Sequence, residues 1–369
     1  MSGHRRVRRL LLGAAALLIF AGFLAIASGC GSSSSTTPPA TTAVQQTAFD
    51  KIASFMNGFM NSQTDQKTIS ATDLNKLMTT SKPGDAPLVL DVRSAKDYST
   101  ASSSSPGHIP GAINIPYKTM AEATSIATLK SALAKQTNKT IVDHCYTAHT
   151  QSIATPVIVY LAQTGQLGTP APKVQGLDFG MLGYNSVETP PSYKNTFPLE
   201  KTSNVPTGTF PLPSITGDLV SRAQQVLPNM PGRLNVSSDQ TINKKPESSY
   251  TIIDIRSATE YNQGHLPGAI NLPYQDLFKK VGDTYPSLAK IDRSKQILVV
   301  GNNHDVEEFV AVGLNLLGIS QQNSNTGALG FGIATWNNTV GVKFTSADKN
   351  SLPTVTGTAP GKSPGSPAS

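Results

Sequence analysis

The stretch LVLDVRSAKDY at residues 88–98 recurs, with similar residues, as TIIDIRSATEY at residues 251–261. A second block follows in the same order, GHIPGAINIPY at 107–117 and GHLPGAINLPY at 264–274. The closing blocks are GMLGYN at 180–185 and GIATWN at 332–337. Three matching blocks in one order indicate an internal repeat, so we predict two homologous domains. The first copy carries six extra polar residues within 99–106, which we interpret as a longer surface loop.

Within each copy, short runs of aliphatic residues alternate with helical stretches. The runs are 88–92, 113–115 and 140–143 in the first copy, and 251–255, 270–272 and 297–300 in the second. Near-continuous apolar strands separated by helices are typical of a parallel sheet that is covered on both faces. We therefore predict an α/β fold with two tandem domains, each a parallel β-sheet flanked by helices.

One amphipathic helix is predicted ahead of the first copy. Its apolar face consists of Phe49, Ile52, Ala53, Met56, Phe59 and Met60. We expect this face to pack against the first domain. A membrane-surface helix is the alternative, but the basic residues that such a helix needs are scarce.

Cys145 is the only cysteine besides Cys30. It follows the apolar run at 140–143 and precedes a helical stretch that ends near Gly165. A strand, a short loop and a helix bring the sulfur among the unpaired N–H groups of a helix N-terminus, which favour anions. We predict that Cys145 is a nucleophile with a pKa below about 8.5. A buried, inert cysteine is the alternative.

The chain resembles the rhodanese family in the order and spacing of four blocks: Asp91-x-Arg93, the block at 107–112, the Cys145 loop and the closing pattern. The resemblance covers both repeats. It implies small α/β domains that transfer a sulfane sulfur through a cysteine persulfide, without a cofactor. Carried over by position, it makes Cys145 the catalytic residue. It assigns substrate binding to the loop residues Tyr146, Thr147, Ala148, His149, Thr150 and Gln151.

Two loop residues depart from the family pattern. Ala148 stands where glycine is usual, and Thr150 stands where many members have arginine. Without that arginine, binding of dianionic thiosulfate is in doubt, and polysulfide or a protein persulfide becomes a comparable donor. The same absence argues against the related phosphatase chemistry, which needs an arginine fork on the phosphate.

Two histidines flank the thiol. We expect His144 to end the strand and point away, since alternate strand residues face opposite sides. His149 is an open case between substrate contact and structure. A metal site made of both histidines and Cys145 lacks the usual ligand spacing and a fourth partner, so we expect no metal.

Six further residues stand at family positions and form three pairs, one member in each copy: Asp91, Arg93 and His108, with Asp254, Arg256 and His265. They recur even in the second copy, where Gly301 stands at the position of Cys145. Glycine cannot form a persulfide, and the acidic residues Asp305, Glu307 and Glu308 would oppose an anionic donor. We therefore predict a structural role for the six positions and an inactive second domain.

The N-terminus predicts export and lipidation. Four arginines precede an apolar stretch over 10–27, and the residues before Cys30 resemble a bacterial lipobox. Lipidation of Cys30 is therefore expected, with an uncleaved membrane anchor as the alternative. Removal of 1–29 lowers the formal charge from +7 to +3, with 26 Lys and Arg against 23 Asp and Glu. This charge does not argue for nucleic-acid binding.

These patterns divide the chain as follows: signal peptide 1–29, disordered spacer 30–47, domain 1 at 48–185, proline-rich linker 186–214, domain 2 at 215–345 and disordered tail 346–369. We expect an extracytoplasmic, membrane-anchored sulfurtransferase that moves sulfur from thiosulfate, polysulfide or a persulfide to a thiol or a cyanide-like acceptor. Its partners would be a small sulfur-containing substrate or a persulfide donor protein. A non-catalytic carrier or sensor of sulfane sulfur is the alternative.

Overall fold

The computed structural model describes residues 47–359, apart from 63–67, 83, 103–104, 186–192, 231–245, 303, 321–325 and 346–347. The predicted signal peptide, the predicted lipidation site Cys30, nearly all of the spacer and residues 360–369 lie outside the described residues. Within the described part, no helix combines the length and the apolar character needed to cross a membrane.

The described residues of the first domain contain a five-stranded parallel sheet in the order β1-β7-β6-β2-β5. Its strands are β1 (Thr68–Ile69), β2 (Leu88–Asp91), β5 (Ile113–Asn114), β6 (Thr140–His144) and β7 (Lys173–Leu177). Its helices are α1 (Ala48–Asn61), α2 (Ala71–Thr80), α3 (Ala95–Ser99), α4 (Ala123–Ala134), α5 (His149–Gln163) and α6 (Gly180–Asn185). The inserted loop forms a small antiparallel pair, β3 (Ala101–Ser102) with β4 (Ser105–Pro106).

The second domain repeats this plan with four described parallel strands in the order β11-β10-β8-β9. The strands are β8 (Tyr250–Asp254), β9 (Ile270–Asn271), β10 (Gln296–Val300) and β11 (Gly327–Ala328). The helices are α7 (Leu219–Val226), α8 (Ala258–Gln263), α9 (Tyr274–Leu277), α10 (His304–Leu316) and α11 (Ile333–Trp336). The predicted fold class, two tandem α/β domains with parallel sheets flanked by helices, is confirmed.

The repeat extends to the way in which helices begin. Ser94 caps α3 by accepting the N–H of Asp97, and Ser257 caps α8 by accepting the N–H of Glu260. Glu260 also accepts the backbone N–H of Ser257, which completes a capping box. Each cap orients the chain directly after a central strand, so both copies leave that strand in the same direction.

The amphipathic helix α1 buries all six residues of its predicted apolar face. Its partners differ from the expectation of packing on the first domain. Phe59 packs edge-on against Phe309 of α10 with ring centroids 5.0 Å apart, and Phe55 packs against Tyr160 of α5 at 5.2 Å. The helix therefore bridges both domains, because an apolar stripe fixes which face is buried but not which surface covers it.

The extended segments that follow each domain cross to the other one. After domain 1, Glu200 exchanges two backbone hydrogen bonds of 2.9 Å with His265 of domain 2. After domain 2, Val355 exchanges bonds of 2.8 and 2.9 Å with His108 of domain 1. The tail was predicted to be disordered over 346–369. This is wrong for its described part, because the bonds of Val355 hold the tail against domain 1.

Candidate active site

Cys145 lies at the carboxyl end of the central strand β6, directly before the loop that leads into α5. Its backbone N–H donates to Gln151 Oε1 at 3.2 Å, and Gln151 Nε2 donates to the carbonyl of Leu177 at 2.7 Å. Gln151 therefore ties the end of β6, the first turn of α5 and the end of β7 together. The cysteine is only 2% exposed.

The loop directs its donors at the sulfur. The backbone N–H groups of Thr147, Thr150 and Gln151, and the hydroxyl of Thr150, face Sγ as hydrogen-bond donors. We call these groups the N–H cradle. The loop closes because Ala148 takes a left-handed conformation with φ 68°, which is the conformation that glycine adopts most easily. The structure thus explains why glycine suits the position of Ala148.

Gly180 supports the loop from the other side. The N–H of the next residue, Met181, donates to the carbonyl of Cys145 at 2.9 Å. A Cβ at Gly180 would lie 2.5 Å from that carbonyl oxygen, and its φ is +52°. A side chain cannot fit there without moving the Cys145 loop. The sequence offered one signal of this role, the recurrence of a glycine at 180 and 332.

The predicted low pKa of Cys145 is wrong. Burial raises the pKa of the thiol, and the hydrogen bonds from Thr150, Gln151 and Thr147 lower it by less than burial raises it. A helix N-terminus lowers the pKa of a thiol that is partly exposed, whereas Cys145 has lost nearly all contact with water. The sequence could not reveal that loss, because the core that buries Cys145 contains residues of both domains.

Two polar contacts hold the second domain against the first residues of α5. His149 Nδ1 lies 3.0 Å from Glu308 Oε1, and Ser152 Oγ donates to Asp305 Oδ1 at 2.9 Å. In the repeat, His149 corresponds to Asp305 and Ser152 to Glu308. The two contacts are therefore related by an approximate two-fold axis between α5 and α10. Phe331 of domain 2 also packs edge-on against the His149 ring, with centroids 5.3 Å apart.

The interface also contains buried carboxyl groups. Burial raises the pKa of Asp143 to about 8 and that of Asp305 to about 7. Burial also raises the pKa of Glu307 well above its ordinary value. Asp143 is therefore mostly protonated at pH 7 and Asp305 about half protonated, because a charge in this environment would lack water. The sequence predicted that Asp305 and Glu308 would repel an anionic sulfur donor near Gly301. In the structure both residues contact domain 1 instead.

His144 is fully buried at the end of β6, with Nε2 3.7 Å from Asp91 Oδ2. Burial lowers the pKa of its imidazole to about 4. His144 is therefore neutral at physiological pH and does not offer a positive charge to the thiol.

The six recurring family positions form the same contacts in both domains. Arg93 Nη2 pairs with Asp91 Oδ2 at 2.5 Å and with the carbonyl of Gly107 at 2.6 Å. The corresponding distances from Arg256 are 2.6 Å to Asp254 and 2.8 Å to Gly264. His108 and His265 each stack on a tyrosine ring with centroids 3.7 Å apart. These identical contacts link the first central strand to the loop after it in each domain.

Gly301 takes the place of Cys145 at the end of β10. Its N–H donates to Glu307 Oε1, as that of Cys145 does to Gln151, and the N–H of Ile333 donates to its carbonyl at 2.9 Å. A Cβ at Gly301 would lie 2.9 Å from Glu307 Cγ. The glutamate side chain therefore occupies the space that a cysteine side chain would need.

The surroundings of the two arginines differ. In domain 1 the ring of Tyr146 lies over the Arg93 guanidinium, 4.7 Å from its carbon. In domain 2 the corresponding Asn302 instead donates to Glu260 at 2.5 Å. A cavity of about 290 Å³ opens there, lined by residues that include Arg256, Tyr274 and Gly301.

The sequence predicted the loop 146–151 and the loss of the thiol at Gly301. It did not predict that Glu308 and Phe331 contact His149, or that Gly180 supports the loop. These residues lie far along the chain from Cys145, and no local pattern connects them to it.

A family model described as rhodanese-like domain matches residues 70–186 and 237–334. A solved rhodanese-related protein from Thermoplasma volcanium is 21% identical, with 30% of this chain and 96% of that one covered and a TM-score of 0.22. The BH2092 protein from Bacillus halodurans is 24% identical, with 32% and 69% covered and a TM-score of 0.23. A variant of EanB in complex with ergothioneine is 15% identical, with 78% and 65% covered and a TM-score of 0.24. No curated protein matches the chain.

Proposed function

The chain belongs to the rhodanese-like family, as its sequence predicted, and from that premise we propose that it transfers sulfane sulfur through a persulfide on Cys145. One observation carries the proposal. Donors from Thr147, Thr150 and Gln151 converge on a single sulfur, and the second copy has glycine at that position. Converging donors stabilise an anion, and both the thiolate and the persulfide are anions.

The reaction has two displacements. The Cys145 thiolate attacks the sulfane sulfur of the donor, so that a Cys145 S–S bond forms while the donor's S–S bond breaks. The donor leaves with the bonding electron pair, as a thiolate, a shorter polysulfide or sulfite. An acceptor thiol or cyanide then attacks the outer sulfur and releases the Cys145 thiolate. No external oxidant or reductant is needed, because one sulfur atom moves between two nucleophiles.

The side chains around the thiol favour a donor whose charge is less concentrated than that of the thiosulfate dianion. Thr150 supplies a hydroxyl where an arginine would bind a dianion. Buried carboxyl groups of domain 2 lie close to the loop. Polysulfide or the persulfide of a donor protein fits these surroundings better than thiosulfate does.

Intact mass spectrometry tests the proposal. Incubation with polysulfide should add one sulfur, about 32 Da, to the chain, and transfer to cyanide should remove it. Cys145→Ser should abolish both the adduct and the turnover. Cys30→Ser, assayed in the same way, should keep both. An unchanged rate in the Cys145→Ser protein would rule out a persulfide mechanism.

A carrier or sensor of sulfane sulfur is the second candidate, and the burial of Cys145 favours it. A thiol that is 2% exposed and has a raised pKa reacts slowly until the site opens, so it could hold sulfur without rapid turnover. The two candidates differ in one measurement. A stable adduct with negligible transfer to cyanide indicates a carrier, and repeated turnover indicates an enzyme.

Attachment to a membrane on the extracytoplasmic side is part of the proposal, and it rests on the sequence before Cys30. Acylation of Cys30 would anchor the mature chain, provided that more than one acyl group is present. Cys30→Ser should move the protein from the membrane fraction to the soluble fraction or leave an unprocessed precursor. An unmodified mature N-terminus at another residue would contradict lipidation.

A further inference from the structure

The second domain lacks a thiol, yet it supplies two side chains that hold a residue of the Cys145 loop. Glu308 Oε1 lies 3.0 Å from His149 Nδ1, and Phe331 packs edge-on against the same ring. The His149 and Glu308 side chains are 3% and 2% exposed. Contacts in such a dry environment are stronger and more directional than surface contacts.

His149 connects these contacts with domain 2 to the N–H groups that surround the sulfur. It is the first residue of α5, and the next two residues, Thr150 and Gln151, carry two of the three N–H groups of the cradle. Moving the first turn of a helix moves those N–H groups together, because the hydrogen bonds of the helix fix the φ and ψ angles between consecutive peptide planes. A side chain that fixes His149 therefore also fixes the direction of the cradle donors.

We propose that Glu308 is a positioning residue of the sulfur site, which acts through His149 to hold the N–H cradle against Cys145. The inference rests on the proposed function for its biological meaning, since a persulfide is what the cradle would stabilise. It gives domain 2 a role: the reactive site belongs to one domain, and its geometry depends on both.

Charged and titratable groups lie around the thiol, so the charge of Glu308 and its hydrogen bond to His149 must be tested separately. Arg93 and Tyr117 of domain 1 interact electrostatically with Cys145, and Glu308 interacts with Tyr117. The negative charge of Glu308 would oppose a thiolate, whereas its hydrogen bond to His149 would favour one through the cradle. Removing Glu308 altogether changes both effects at once.

A pair of neutral variants isolates the hydrogen bond. Glu308→Gln and Glu308→Ala both remove the charge, but only glutamine keeps an oxygen that can accept from His149. The readout is the pH midpoint of Cys145 alkylation by iodoacetamide on the full chain, followed on the Cys145 peptide by mass spectrometry. We expect the midpoint of Glu308→Ala to lie roughly half to one pH unit above that of Glu308→Gln.

Two variants of Asp305, whose contact with Ser152 is related to that of Glu308 with His149 by the approximate two-fold axis, provide the matched control. Asp305→Asn keeps an acceptor for Ser152 and Asp305→Ala does not, but Ser152 lies outside the cradle. Their two midpoints should coincide. The proposal is overturned if the two Glu308 variants share one midpoint, or if the Asp305 pair differs by as much as the Glu308 pair. Failure of the wild-type chain to add sulfur would refute the proposed function and leave this comparison intact.

Discussion

Cys145 and Gly301 follow the same strand in the two copies, and the side chain six residues later accepts the backbone N–H of each. Gln151 does so from a direction that leaves room for a cysteine side chain. Glu307 does so from within the space where a side chain at 301 would lie. The second domain has thus lost both the thiol and the space for it. A single substitution should not restore the site.

Gly301→Cys in a chain that also carries Cys145→Ser tests this argument. The new side chain would lie 2.9 Å from Glu307 Cγ, so we expect a loss of about 1–3 kcal/mol in the free energy of unfolding and no sulfur adduct. Gly58→Ala is the control, since no atom lies within 4 Å of its added Cβ and alanine suits a helix better. Urea denaturation and intact mass report the two outcomes. A sulfur adduct on the thiol introduced at position 301 would contradict the steric argument.

The extended segments after each domain act at the scale of secondary-structure elements. Each one pairs with the Gly-His segment of the other domain, through Glu200 with His265 and through Val355 with His108. The close approach needs glycine, since a Cβ at Gly107 would lie 2.1 Å from the carbonyl oxygen of Val355. The two domains therefore depend on each other for backbone hydrogen bonds as well as for their core.

Truncation of the tail should remove the pairing of Val355 with His108 and leave the pairing of Glu200 with His265. Deleting residues 346–369 removes the acceptor of the His108 N–H, so amide exchange at His108 should become faster and the melting temperature should fall. Exchange at His265, which Glu200 still holds, should stay slow in the same sample. Deleting only 360–369 should leave both protected. Equal exchange at His108 in the two truncated chains would show that the Val355 pairing does not form.

At the scale of the whole molecule, the domains share one hydrophobic core that includes α1, α5 and α10. Carboxyl groups are buried beside it, and burial raises their pKa values. A sealed interface protects the thiol from solvent. The same seal makes the stability of the protein depend on pH.

The sign of that dependence follows from proton binding. Asp143 and Asp305 have pKa values of about 8 and 7 when folded, and about 3.9 in an unfolded chain. Between these values the folded protein binds more protons, so the free energy of unfolding decreases as pH rises from about 4 to about 8. Asp305→Asn should flatten the slope by up to about 1.4 kcal/mol per pH unit below pH 7. Urea titrations at several pH values measure the slope, and a slope that Asp305→Asn does not change would contradict the assignment.

Local patterns in the chain were enough to predict the repeat, the parallel sheets, the Cys145 loop and the loss of the thiol at Gly301. They suffice because strand and helix periodicity, together with the spacing of short blocks, reflect contacts between near neighbours. The buried face of α1 was predicted residue by residue for the same reason.

The partner of that face, the order in the tail and the raised pKa of Cys145 were decided by tertiary structure. Each depends on residues far apart in the chain, as in the 3.0 Å contact between His149 and Glu308. Helix propensity and block spacing carry no information about which distant residues bury the thiol. Burial in the core that both domains form, rather than the loop alone, determines whether the sulfur is charged, because removing water costs the thiolate more than the cradle donors return.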